Sequence, residues 1–251
     1  MGFATLILAT DHGRRMGYRR TERETARLAA RYDAIIEAAR ALASESGLAA
    51  VQIMPVAARA GIAAGTVYRY FPSKDDLVAA LVNSTAEREI AAIREAAAAA
   101  PGALSGLAAA ITAFAAGTLR ARRLAWAMLA QAPEGSSADA GRFAFRRSIG
   151  DEFEILIRAA VTAGQLPDQP PTVMAAAVVG ATVESLVGPL APNSAEPDAE
   201  YAAVQELTLF ALRALGVADA HARGLVMAGI SNQGIRDQGS GIRDQEVGPD
   251  S

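Results

Sequence analysis

Glycine and proline residues cut this chain into segments in which apolar side chains recur every three or four residues. That spacing is the period of an amphipathic α-helix, whereas a half-buried β-strand alternates apolar and polar residues one by one. Alanine, the residue with the highest helix propensity, supplies much of the apolar content, and β-branched runs with period two are scarce. The sequence therefore predicts an all-α fold of about nine helices.

The predicted helix boundaries follow from local start and stop signals. Gly47 and Pro72 end the first and third helices, and Ser73 with Asp76 has the spacing of a capping box at the start of the fourth. Four N-terminal helices are predicted over about 27–46, 53–60, 64–70 and 73–100. Five more are predicted over roughly 103–119, 120–131, 138–163, 171–188 and 198–215.

Positive charge is concentrated at the front of the chain. Residues 1–74 contain 11 Lys and Arg against 6 Asp and Glu, a balance of +5, and the remainder has a balance of −8, which gives the net charge of −3. A basic end on an otherwise acidic protein suits a molecule that meets a polyanion at that end only. The alternative is that the arginine run over 14–31 is a solvated arm.

The cysteine and histidine content argues against an enzyme. The chain has no cysteine, which excludes disulfides and thiolate chemistry, and its two histidines, His12 and His221, lie near opposite ends. Only scattered carboxylates remain for catalysis. The sequence therefore predicts no catalytic residues, no metal and no cofactor.

No membrane segment or signal peptide is expected from the sequence. The apolar start over 1–10 is short and has no basic residues before it. The stretch closest to a membrane helix, over 173–190, carries Glu184. We therefore expect a cytoplasmic protein without a membrane partner.

Residues 56–74 contain the parts of a helix-turn-helix. Ala57 is small enough to let two helices cross closely, and Gly61 supplies the positive φ of a tight turn. Ile62 and Val67 fill the space between the helices. A second helix of this kind fits the major groove of duplex DNA. Its outward residues are Ala64, Gly65, Thr66, Tyr68 and Arg69.

The run GTVYRYFPSKDDL over 65–77 resembles the DNA-binding signature of the TetR/AcrR family of bacterial regulators, and the resemblance covers about residues 30–80. It implies that Thr66 and Tyr68 contact phosphates or base edges and that Lys74 binds a backbone phosphate. It implies that Tyr70 and Phe71 pack inside the domain. The alternatives are that Tyr68 is a core aromatic and that Lys74 is a solvated cation.

The resemblance also implies a domain organisation and a function. The remaining helices are expected to form an effector-binding and dimerisation domain. The chain is then a homodimeric transcriptional regulator, a repressor released from double-stranded operator DNA by a small hydrophobic effector. The predicted parts are a flexible basic arm over 1–26, the DNA-binding domain over 27–80, the helical ligand-binding and dimerisation domain over 81–217, and a mostly disordered tail over 218–251.

Three departures from the family pattern stand out. Ala63 occupies the N-cap of the third helix, where alanine is worse than Ser or Thr by about 1 kcal/mol. Ala64 replaces a polar residue that could read bases. Pro55 favours a start of the second helix at that residue rather than at Ile53, which puts its usual phosphate contact in question. Gln52 is the candidate that could still make this contact.

Candidate residues for an effector site and for a dimer interface lie in the C-terminal part. The aromatic residues and one acid that could enclose an apolar effector are Phe114, Trp126, Phe145, Phe153 and Glu184. The positions at which two helices from each subunit could pack closely are Ala176, Gly180, Gly188, Leu207, Phe210, Ala211 and Ala214. In both cases the alternative is ordinary packing inside one subunit.

Two other classes of function compete with DNA binding. One is an all-helical enzyme or carrier that binds small molecules, which lacks an evident catalytic set here. The other is an interaction protein that uses its N-terminal helices for docking. The basic front of the chain and the combination of Thr66, Tyr68 and Lys74 favour the DNA-binding regulator over both.

Overall fold

The structure is a computed structural model that describes the backbone over residues 4–129, 137–192 and 197–228, and side chains over 25–129, 141–192 and 198–228. Every regular element within these ranges is helical, which confirms the all-α prediction. The helices are α1 (Ala4–Ser46), α2 (Ile53–Arg59), α3 (Ala64–Tyr70), α4 (Lys74–Ala98), α5 (Ala103–Arg120), α6 (Arg122–Leu129), α7 (Ser137–Thr162), α8 (Pro171–Leu186), α9 (Pro197–Ala214) and α10 (219–228).

The largest difference from the predicted boundaries is at the first helix. α1 begins at Ala4 rather than near residue 27 and ends at Ser46 as predicted. Gly47 follows with φ of 81° and leads into a short 3₁₀ helix, Leu48–Ala50. The prediction relied on an apolar stripe, and residues 11–27 are rich in arginine and have no such stripe.

The start of α2 corrects a second expectation. α2 begins at Ile53, so Pro55 is its third residue rather than its first. The N–H groups of a first helical turn have no intrahelical acceptor, so the missing N–H of proline breaks no bond there. The first N–H that needs an acceptor, that of Val56, donates to the Gln52 carbonyl at 3.0 Å.

The described chain forms two compact units, Met1–Leu81 and Val82–Ser251, and the division falls within α4. The core of the N-terminal unit is built from the inner faces of α1, α2, α3 and the start of α4. Its fully buried side chains include Ile35, Val51, Val56, Val67 and Leu77. The predicted flexible arm over 1–26 concerns mostly residues whose side chains are outside the described ranges.

In the C-terminal unit, α5 lies at the centre and packs against α7, α8 and α9. One buried cluster joins α5, α8 and α9 through Ala115, Leu119, Leu186, Val204 and Leu207.

Among the described residues α5 is the one helix long and apolar enough to cross a membrane, and 61% of it is buried, as in a core helix. The stretch over 173–190, which the sequence predicted to come closest to a membrane helix, lies mostly in α8, and α8 is shorter than α5.

The loop between α7 and α8 fastens the ends of two other helices. Gln165 Oε1 accepts the Leu104 N–H at 3.0 Å, at the start of α5. Gln169 Nε2 donates to the Leu215 carbonyl at 2.9 Å, just after α9. Gly216 follows with φ of 93°, and a Cβ there would lie 2.7 Å from Pro167. Side chains thus satisfy backbone groups that helix ends leave without partners.

After α9 the chain forms α10, which occupies the first part of the tail predicted to be mostly disordered over 218–251. Asp219 at its start accepts hydrogen bonds from Arg213 Nε at 2.7 Å and from Arg223 Nε at 3.0 Å. The bonds from Arg223 and Arg213 lower the pKa of Asp219. The rest of the tail predicted over 218–251, which is residues 229–251, lies outside the described residues.

Candidate nucleic-acid interface

The second helix of the predicted helix-turn-helix, α3, has one face fully inside its unit and the other in solvent. Val67 is 0% exposed and Phe71, just after the helix, is 3% exposed. Tyr68 is 53% exposed, and Gly65 and Arg69 are exposed beside it. Ala64, Thr66 and Tyr70 are half-buried. The helix therefore offers a small outward face with a phenol, a guanidinium and a hydroxyl group.

A tight turn holds α2 against α3. Gly61 has φ of 66°, and the Ile62 N–H donates to the Ala57 carbonyl at 3.0 Å. Ala57 is 3% exposed, so its small side chain lies where the two helices approach each other. These features confirm the roles predicted for Ala57 and Gly61. Ile62 is half-buried, so it fills the space less completely than Val67.

Three aromatic rings fix the end of α3. The Phe71 ring lies 5.3 Å from that of Tyr32 on α1 and 6.5 Å from that of Tyr70. Offset ring pairs at such distances stabilise packing by roughly 0.5–1.5 kcal/mol beyond area burial. Phe71 is thus a core residue. Tyr32 was not predicted from the sequence as part of this core, although it lies one turn before Ile35 and Ile36 on the inner face of α1.

A reciprocal capping box begins α4. The Asp76 N–H donates to Ser73 Oγ at 3.1 Å, and the Ser73 N–H donates to Asp76 Oδ2 at 3.1 Å. This confirms the predicted box and satisfies two backbone donors at the helix start. Lys74, the first residue of α4, is exposed and has no described ion pair within the residues that the structure covers. The capping box therefore fixes the backbone that carries this cation.

A bidentate ion pair braces α2 against α1. Arg59 Nη1 and Nη2 donate to the two carboxylate oxygens of Glu45 at 2.6 and 2.7 Å. This pair was not predictable from the sequence, because 14 residues separate the partners and no helix spacing relates them. Arg59 consequently contributes to the positioning of α2, and its charge is compensated by Glu45.

Gln52 lies at the N-cap of α2 and is exposed. Its side chain makes no capping hydrogen bond to the helix, and its Nε2 atom lies 3.5 Å from the Ala49 carbonyl. Ala63 likewise makes no side-chain cap for α3, as expected from a methyl group. Gln52 thus presents an amide to solvent at the start of the helix that precedes α3.

The predicted effector residues separate into two groups. Phe114 on α5 and Phe153 on α7 are buried with ring centroids 5.7 Å apart, and Phe145 on α7 is also buried. Trp126 on α6 is half-buried, whereas Glu184 near the end of α8 is exposed. The structure therefore brings Phe114 and Phe153 together in the interior of the C-terminal unit, while Glu184 lies on its surface.

The predicted dimer positions also separate. Leu207 and Ala211 on α9 are buried inside the unit, and Leu207 belongs to the cluster that joins α5, α8 and α9. Gly188, which follows the end of α8, is also buried, and its N–H donates to the Val183 carbonyl at 2.8 Å. Ala176, Phe210 and Ala214 are exposed and Gly180 is half-buried.

Comparisons with known proteins agree with this geometry. Residues 35–81 match the family model described as bacterial regulatory proteins of the tetR family. The HTH-type transcriptional repressor KstR of Mycolicibacterium smegmatis is 48% identical over 54 residues, which are 22% of this chain and 26% of that protein. The chain thus matches about a quarter of the length of this curated relative.

Solved structures resemble a larger part of the chain. A transcriptional regulator of the TetR/AcrR family from Thermobifida fusca covers 72% of this chain and 96% of its own, with 24% identity and a TM-score of 0.57. FadR of Bacillus subtilis, solved with stearoyl-CoA, covers 75% of this chain and 98% of its own, with 20% identity and a TM-score of 0.59. The similarity in fold therefore extends well beyond α1–α4.

Proposed function

We propose that this chain, a member of the TetR family of bacterial regulators, binds operator DNA as a homodimer and represses transcription until a small hydrophobic molecule releases it. The observation that carries the proposal is the outward face of α3. Tyr68 and Arg69 are exposed there above a buried Val67, and Lys74 follows at the start of the next helix. A short polar face on a rigid helix suits insertion into a major groove.

The DNA contacts fall into two kinds. Tyr68 and Lys74 bind phosphate oxygens, because a phenol donates one hydrogen bond and an ammonium group donates three. Arg69 and Thr66 reach phosphates or base edges, and Ala64 and Gly65 allow the backbone of α3 to approach the groove. Gln52 binds a phosphate from the N-cap of α2. Few of these side chains can read bases, so phosphate contacts supply most of the affinity.

The homodimer forms through the exposed faces of α8 and α9. Val173 and Ala176 on α8 and Tyr201 and Phe210 on α9 leave apolar side chains in solvent. Two such helices from each subunit form a four-helix interface related by a two-fold axis. The same axis presents two α3 helices to successive major grooves, about 34 Å apart.

The effector binds in the C-terminal unit near Phe114, Phe145 and Phe153, with Trp126 at the edge of this aromatic group. FadR of B. subtilis, which resembles this chain in fold, was solved with stearoyl-CoA, a ligand with a long apolar chain. That ligand supports an apolar effector here. Release requires the effector to bind the DNA-incompetent arrangement more tightly than the DNA-bound one. Such a regulator acts in the cytoplasm, where its operator is.

Genome-wide mapping of DNA bound by the full-length protein tests the proposal. The expected result is a small set of sites that share a palindromic sequence, because a two-fold dimer reads two half-sites. Tyr68→Phe combined with Lys74→Ala should lose those sites, whereas Tyr70→Phe combined with Arg147→Ala, which changes a tyrosine and a basic residue outside the proposed contacts with DNA, should retain them. Uniform, weak enrichment by wild type would contradict sequence-specific binding and favour the helical small-molecule carrier.

A further inference from the structure

We propose that Arg122 is a positioning residue for the homodimer, because its guanidinium group joins the end of α8 to the first turn of α9, the two helices of the proposed interface. The proposal rests on the homodimer of the proposed function and assigns a role in it to one side chain of the C-terminal unit. Arg122 lies outside residues 35–81, which the family model matches.

The first observation is the set of hydrogen bonds that Arg122 makes from the start of α6. Arg122 Nη1 donates to the Leu186 carbonyl at 3.3 Å, and Arg122 Nε donates to Glu200 Oε1 at 3.3 Å. Leu186 is the last residue of α8, and the final carbonyl groups of a helix have no donor within it. Glu200 lies in the first turn of α9. One side chain of α6 therefore bonds both helices at the ends that residues 187–196 connect.

The second observation is that these bonds lie beside a buried apolar cluster. Leu119, three residues before Arg122, belongs to the cluster that contains Leu186 and Val204. The side chain of Arg122 is 32% exposed and that of Glu200 is 35% exposed, so salt screens this ion pair less than a fully exposed one. A cation at the C-terminal end of α8 and a carboxylate at the N-terminal end of α9 also match the two helix dipoles.

These bonds act on the helix turns that carry exposed side chains of the proposed interface. Tyr201, which is 48% exposed, directly follows Glu200, and the exposed Glu184 lies two residues before Leu186. Two helices can pack together against a partner only when the angle between them is fixed. Without Arg122 a subunit keeps its core, but a smaller fraction of subunits holds the arrangement that pairs. The apparent affinity between subunits then falls by that fraction for each subunit.

The test compares Arg122→Gln with Arg120→Gln in the full chain, because both substitutions remove the same charge. Arg120 is exposed at the end of α5. Analytical ultracentrifugation over a range of protein concentrations gives the dimer dissociation constant. Arg122→Gln should raise this constant about tenfold, which is about threefold for each of the two copies in a dimer. Arg120→Gln should leave it within about twofold of wild type. Glu200→Gln should have a smaller effect than Arg122→Gln, because the bond to the Leu186 carbonyl remains.

Operator binding separates positioning from damage to the fold. Arg122→Gln should bind a palindromic operator weakly below its raised dissociation constant and as tightly as wild type well above it, because the palindrome needs two subunits. Helix content by circular dichroism and the emission of Trp126, the single tryptophan of the chain, should equal those of wild type. A loss of helix content in monomers of Arg122→Gln would overturn the positioning role, because the side chain would then stabilise the subunit itself.

The outcomes also distinguish this proposal from the proposed function. An unchanged dimer dissociation constant in Arg122→Gln would overturn the role of Arg122 and leave the homodimer intact. An equal rise in Arg120→Gln would overturn it too, because net charge alone would then matter. A wild type that stays monomeric at every concentration would contradict the proposed homodimer as well.

Discussion

Arg59 on α2 and Glu45 on α1 share two hydrogen bonds of 2.6 and 2.7 Å, so the single basic side chain of α2 is paired within its own unit. This pair adds to the apolar packing of α2, in which Val56 is fully buried, and α2 in turn supports α3 through the turn at Gly61. Two parallel hydrogen bonds between a planar guanidinium group and a planar carboxylate define the orientation of both groups, which a single hydrogen bond does not.

Glu45→Gln should lower the free energy of unfolding by about 0.2–1 kcal/mol, the range for exposed ion pairs, and by less at high salt. The variant should also bind DNA more tightly at low salt, because a carboxylate is lost and Arg59 is no longer compensated. Glu95→Gln makes the same charge change at an exposed position of the other unit. A gain in DNA affinity of equal size in Glu95→Gln would contradict a local effect.

Tyr68→Phe should weaken operator binding by roughly 1 kcal/mol or more per subunit, because the exposed hydroxyl donates to the DNA. Stability should not change, since the ring has no described packing role comparable to that of Phe71. Tyr70→Phe, two residues along and half-buried, is the matched control and should keep full affinity. Affinity and thermal unfolding measured together decide the matter. Undiminished affinity of Tyr68→Phe would mean that its hydroxyl does not touch DNA.

Lys74→Ala should weaken binding to all sequences alike and reduce the salt slope by about 0.9 per half-site, which is the loss of one phosphate contact. Lys74→Arg keeps the charge and should keep the slope. Both are measured by titration of operator and mixed-sequence duplexes over a range of salt. A slope that stays the same in Lys74→Ala would show that the side chain does not reach the DNA backbone.

Two glycine substitutions should have opposite effects on stability. Gly61 has φ of +66°, whereas Gly65 lies inside α3, where an added Cβ would meet no neighbouring atom within 4 Å. Gly61→Ala should cost about 1–2 kcal/mol of backbone strain, whereas Gly65→Ala should stabilise α3 by about 0.5–1 kcal/mol. Gly65→Ala should nevertheless bind DNA less tightly, because its methyl group faces the groove. Denaturation and operator titration of both variants provide the check. A free energy of unfolding for Gly61→Ala equal to that of wild type would contradict the predicted strain at this turn.

Phe114 and Phe153 should prove energetically coupled. Their rings lie 5.7 Å apart at an interplanar angle of 59°, and both side chains are buried. A double-mutant cycle with Phe114→Leu and Phe153→Leu should give a coupling free energy of about 0.5–1.5 kcal/mol. Additive effects would mean that the two rings contribute independently. If an apolar effector is found, each single variant should alter the response to it more than it alters operator affinity without it.

Local sequence signals were sufficient for most helix boundaries. The Ser73 and Asp76 pair begins α4, glycine with positive φ ends helices or forms turns at positions 47, 61 and 216, and proline precedes or begins α8. These signals act within one helical turn, so a sequence contains them in full. The outward and inward residues of α3 were also predictable, because the helical period separates Val67 from Tyr68 by about 100° around the helix axis.

The tertiary structure decided what local patterns leave open. The pairing of Arg59 with Glu45, the contact of Tyr32 with Phe71 and the burial of Leu207 inside its own unit each join residues far apart in sequence. An apolar stripe on a helix shows that this face packs against another element, but it does not show whether that element belongs to the same subunit or to a partner. For this reason Leu207 and Ala211 were assigned to a dimer face, although both are buried inside their own unit. The extension of α1 to Ala4 escaped prediction for the converse reason, since a helix without an apolar stripe leaves no periodic signal to detect.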